Sequence, residues 1–64
     1  MEGKEAMLLL LQGELICQVS SSIIYKIQDN SLRYSTDNGK SWAASAQSIR
    51  NWLGFTDYEV YLEI

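Results

Sequence analysis

Four consecutive leucines, Leu8 to Leu11, follow Glu5-Ala6-Met7 and are closed by Gln12 and Gly13. Lys4 to Gln12 contains only strong helix formers, and Gly13 stands where a helix end favours a residue with positive φ. A helix over 4–12 is predicted. At about 100° per residue, Ala6, Leu9 and Leu10 share one face, while Met7, Leu8 and Leu11 spread over the rest. Such a helix is apolar nearly all round. One sheet covers one face of it, so Met7, Leu8 and Leu11 are the expected interface with a second copy, in a dimer or higher homo-oligomer.

The size of the chain points the same way. A single 64-residue domain buries only about 60% of the surface its unfolded form exposes, so its core is marginal without some supplement. One cysteine forms no intrachain disulfide, and without histidine there is no His-based zinc site. Self-association is the supplement that remains. The longest apolar run, Ala6 to Leu11, is far too short to cross a membrane. The N-terminus makes a poor signal peptide and the single thiol is free, so the expected address is the cytoplasm. Five basic and eight acidic residues give a net charge of -3, which disfavours a protein that binds by neutralising phosphates.

From Leu15 the pattern alternates with period two, Leu15, Cys17 and Val19 against Ile16, Gln18 and Ser20, and a first strand is predicted. Cys17 reads as a small buried hydrophobe rather than a reactive thiol. After the serines at 20–22 a second strand alternates Ile23, Tyr25 and Ile27 against Ile24, Lys26 and Gln28. Two hairpin registers are open at the next turn. If Asp29-Asn30 is a two-residue loop, Tyr25 meets Tyr34 and Lys26 lies opposite Arg33; if Asn30-Ser31 is the loop, Gln28 meets Arg33 and the repulsion disappears.

A third strand through Leu32, Tyr34 and Thr36 runs into Ser35-Thr36-Asp37-Asn38-Gly39-Lys40-Ser41-Trp42, which matches the Asp-box pattern in full. The resemblance implies that the aspartate bonds loop amides, that the glycine takes a conformation closed to other residues, and that the tryptophan packs beneath the turn. Asp-Asn-Gly is strong turn chemistry in its own right. The sialidases that carry this motif build six-bladed propellers with an arginine triad, and 64 residues with two arginines cannot do so. The motif is read as a hairpin device. A calcium loop at Asp37 lacks the further ligands and closing glutamate of an EF-hand.

Ser45 is the expected cap of a short second helix carrying Ala46, Ile49, Trp52 and Leu53 and ending at Gly54, with Phe55 as a hydrophobic lock behind it. A fourth strand then alternates Tyr58, Val60, Leu62 and Ile64 against a wet acidic face of Glu59, Tyr61 and Glu63. The order αβββαβ predicts an α+β domain, a four-stranded antiparallel sheet with the N-terminal helix and one short second helix packed on it.

Without histidine the commonest catalytic constellations are missing. The turn aspartates Asp29, Asp37 and Asp57 are explained by local amide bonding. A non-enzymatic protein with no cofactor or metal is expected. Two candidate sites remain. Glu59, Tyr61 and Glu63 form a strand face suited to mimicking nucleic-acid phosphates or gripping a basic partner, and Tyr25, Lys26, Arg33 and Tyr34 are candidates for an aromatic and basic platform for a nucleotide or single-stranded bases.

Glu5-Ala6-Met7-Leu8-Leu9-Leu10-Leu11-Gln12-Gly13 with Glu14-Leu15-Ile16, and later Trp52-Leu53 with Asp57-Tyr58-Glu59-Val60, give a layout that resembles small phage and prophage α+β proteins. It looks like the Thoeris anti-defence sponge family, whose members form oligomers and sequester a nucleotide immune signal. It is also similar to the Hachiman anti-defence type, which blocks a host protein. The resemblance implies a homo-oligomeric viral inhibitor of a bacterial defence protein in the host cytoplasm, with a nucleotide sponge and a single-stranded nucleic-acid module as alternatives.

Overall fold

The leucine-rich segment and the alternating segments become one helix and the strands it packs on in a computed structural model, which describes residues 1–62. Helix α1 spans Gly3–Leu11. It ends as Gly13 predicts: Gly13 takes φ +94°, its N–H donates to Leu10 O at 3.0 Å, and the N–H of Glu14 donates to Leu9 O at 3.0 Å. This paired closure satisfies carbonyls that the last turn would otherwise leave bare.

The strands are β1 (Ile16–Gln18), β2 (Ile23–Gln28), β3 (Ser31–Ser35), β4 (Ala43–Ala44) and β5 (Tyr58–Val60), with a second helix α2 (Ile49–Leu53) between the last two. All pairings are antiparallel, in the spatial order β4-β3-β2-β1-β5. The sheet therefore has five strands where four were expected. Ala43 and Ala44 pair with Tyr34 and Arg33 as the return limb of the Asp-box hairpin. Two alanines carry no alternation and little β propensity, so only the pairing with β3 makes them a strand.

The β2–β3 turn adopts the register that places like charges together. Asp29 and Asn30 both take positive φ, 54° and 61°, as a two-residue hairpin loop requires. Tyr25 then faces Tyr34, and Lys26 faces Arg33. The second helix starts later than expected. Ser48, not Ser45, is its cap and accepts from Asn51 N at 3.1 Å; the Ser45 N–H is held by Leu32 O at 2.9 Å, which ties that residue to β3.

Both helices lie on one face of the sheet, where Ala6, Leu10, Ile16, Tyr25, Trp52 and Tyr58 form the buried core. Trp52 is its centre. The ring stacks on Tyr58 at 4.2 Å and meets Tyr25 edge-on at 4.9 Å, two favoured aromatic geometries. The Tyr58 hydroxyl donates to Trp52 O at 2.7 Å. Phe55, expected as the lock, stays exposed, since Trp52 already fills the space between α1 and the sheet. On β5 only Tyr58 is buried, whereas Val60 and, beyond the strand, Leu62 are exposed. Ile64 and Glu63 lie outside the described residues.

Candidate functional site

The alternation of each strand decides which candidate residues can act together. Tyr25 and Tyr34 are cross-strand partners on the helix-covered face, Tyr25 fully in the core and Tyr34 packed against it. Lys26 and Arg33 are the neighbouring partners and project from the opposite, helix-free face. The four residues therefore do not form one platform within a single chain. Tyr25 is occupied structurally: its hydroxyl donates to the buried Gln18 Oε1 at 3.4 Å, and burial is the main reason its ionisation is pushed up.

The helix-free face is built by three devices. The first is the hairpin register, which brings Lys26 and Arg33 together. The second is the Asp-box loop. Asp37 accepts from Ser41 N at 3.0 Å through Oδ1 and from the Ser41 hydroxyl at 2.6 Å through Oδ2, while the Ser35 hydroxyl donates to Asp37 Oδ1 at 2.7 Å. Bonds from the Ser41 side chain and backbone, then from Ser35, lower the Asp37 carboxyl to about 2. Gly39 takes φ +87° and its N–H donates to Ser35 Oγ at 2.8 Å.

The third device is Trp42. A side chain at Gly39 would come 3.5 Å from its ring, so the indole lies under the turn as the motif implies. Its other neighbour was not legible from the motif: the Lys26 ammonium sits 4.3 Å from the ring centroid, a cation–π contact. Ser35 is buried within the loop, and its cross-strand partner Ile24 is buried with it. Cys17, expected to be buried, is half-buried on this face opposite Glu59, because Ile16 and Gln18 take the core side of β1. Its thiol is pushed up by burial first, then by Glu59 and Asp57.

The expected partner-binding residues sit at a sheet edge. Glu59 is exposed and Tyr61 half-buried, with the Tyr61 N–H held by Leu15 O at 2.8 Å; Glu63 lies outside the described residues. Behind them Asp57 ties the edge to the β1–β2 turn, accepting from Ser20 N at 2.9 Å. Ser20 is the main cause of its lowered carboxyl. Of the expected oligomer residues, Leu8 is 54% and Leu11 66% exposed, whereas Met7 is half-buried against the core. The depression lined by Glu2, Lys4, Glu5 and Leu8 is shallow. No helix among the described residues is long and apolar enough to cross a membrane. Comparison with family models, curated proteins and solved structures finds no match to this chain.

Proposed function

We propose that this chain is a non-enzymatic binding protein, a homo-oligomeric inhibitor from a phage or prophage that docks on a bacterial anti-phage defence protein in the host cytoplasm. The observation that carries the reading is the pair Leu8 and Leu11, both more than half exposed on the outward side of α1. Covering what remains exposed of the two leucines gains roughly half of the about 1.5–3 kcal/mol that full burial of such a side chain contributes. A standard interface takes about 800 Å² from each partner, roughly a fifth of the 4469 Å² surface of this chain. We place self-association on α1 with Leu8 and Leu11 at its centre, which leaves the sheet edge at Glu59 and Tyr61 for the defence protein.

The reading is tested by expressing the chain in bacteria that carry a defined defence system and measuring phage plating, alongside sedimentation of the purified protein. Wild type restores plating and sediments as an oligomer. Leu8→Lys with Leu11→Lys sediments as a folded single copy. A stable single copy of the wild type at micromolar concentration would remove the oligomer, and unchanged inhibition by Glu59→Ala would remove the edge strand.

A further inference from the structure

The pair Lys26 and Arg33 breaks a rule that the rest of the sheet obeys. Like charges directly opposite on neighbouring strands are destabilising, and the register that would have separated them was open to this turn sequence. The Trp42 ring takes up part of the Lys26 charge, but the strand neighbours of the pair on that face give no relief. These are Ile24 and Gln28 along β2, Ser31 and Ser35 along β3, and Ala44 across β4, none of them acidic. The Nε of Arg33 is buried with no hydrogen-bond partner among the described residues, an orphaned donor of a kind folded proteins rarely keep. All this occurs in a chain whose net charge is -3. Local rules are broken in this way mainly at functional sites.

From this geometry we infer that the helix-free face at Lys26, Arg33 and Trp42 is the docking surface for an acidic segment of a protein partner. The inference rests on the binding-protein reading above and names the chemistry of the partner. Arginine and tryptophan are among the residues that dominate binding energy at protein interfaces. A guanidinium beside an ammonium matches the carboxylates of neighbouring Glu or Asp side chains, and charge-assisted bonds of this type are the stronger ones. The surface is a sheet face rather than the concave pocket that small ligands require. The overall negative charge disfavours a polyanion such as nucleic acid, whose field would act on the whole molecule. Glu59 stands on the same face two strands from Lys26 and in register with Ile24, about 12 Å away at the usual strand spacing and rise. The face is therefore basic at Lys26 and Arg33 and acidic at Glu59, which places an acidic segment over the β2–β3 side of the sheet.

The test is a nuclear magnetic resonance titration of the full 15N-labelled chain at low salt with a synthetic Glu-rich decapeptide. A Lys-rich decapeptide and inorganic phosphate are the comparison probes. Saturable shifts are expected at the amides around Lys26 and Arg33 and at the Trp42 indole, with a Kd below about 1 mM. Affinity is expected to fall about tenfold or more in Lys26→Gln with Arg33→Gln and to be retained in the charge-preserving Lys26→Arg with Arg33→Lys. The amide spectra report whether each variant is folded. Absence of saturable shifts, shifts that survive in the glutamine variant, or an equal response to phosphate alone would overturn the proposal. Acidic-peptide binding by a chain that leaves phage plating unchanged would retire the anti-defence reading and keep the docking face.

Discussion

The indole Nε1 of Trp52 donates to the carbonyl oxygen of Gly3 at 2.7 Å, across 49 residues of sequence. The bond joins the first residue of α1 to the C-terminal end of α2 and satisfies the only polar atom of a side chain that is fully buried. The approach is so close that a Cβ at Gly3 would lie 2.9 Å from Trp52 O and 3.1 Å from the Leu53 Cα.

Gly3→Ala is therefore predicted to destabilise the domain by about 1–3 kcal/mol, since both nearest atoms are backbone and cannot swing away. Urea unfolding followed by Trp fluorescence measures it. Trp52→Ala should cost about 3–5 kcal/mol. A Gly3→Ala variant with wild-type stability would mean that the two helices do not meet as described.

The Asp-box loop should be sensitive to acid. Asp37 is lowered from 3.8 to about 2, so it favours the folded loop above its unfolded value and that contribution is lost as pH falls through about 2. Asp57 is lowered too and acts in the same direction. Stability measured from pH 5 downward should decline in the wild type and decline less in Asp37→Asn. The same slope in both would contradict the hydrogen bonds assigned to Asp37.

Gly39→Ala tests the loop without charge. At φ +87° an L-residue is strained, and a cost of about 1–2 kcal/mol is expected. The ring of Trp42 should report the change by a shift in its indole resonance. An unshifted indole would separate Trp42 from the turn.

Alkali should act on the core. Burial raises the Tyr58 hydroxyl from 10.0 to about 12, so its neutral form supports folding fully below its unfolded value, and that support is lost as pH rises through about 12. Absorbance titration should find Tyr58 resisting ionisation until the chain unfolds. Tyr58→Phe should remove that alkaline transition in part and cost about 1 kcal/mol at neutral pH through the lost bond to Trp52 O. Ordinary titration near pH 10 in the folded state would contradict the packing.

Much of this molecule is written locally, and the local parts could be read from the chain. The helix stop at Gly13, the left-handed pair Asp29-Asn30, the bonding of Asp37 and the glycine conformation at 39 each depend on a few adjacent residues. Strand alternation likewise put Lys26 on the side opposite Tyr25. The amino-acid order alone left two registers open at the β2–β3 turn, and it gave no sign that Ala43-Ala44 would pair with β3 or that Ser45 would be drawn away from a capping role. Those outcomes depend on hydrogen bonds between distant segments. Burial was the least legible quantity: Val60, Leu62 and Phe55 are as apolar as residues in the core, yet they stay exposed while Trp52 fills the space under α1. Apolarity belongs to a residue, whereas coverage depends on which other residue arrives to exclude water, and only the assembled tertiary structure decides that.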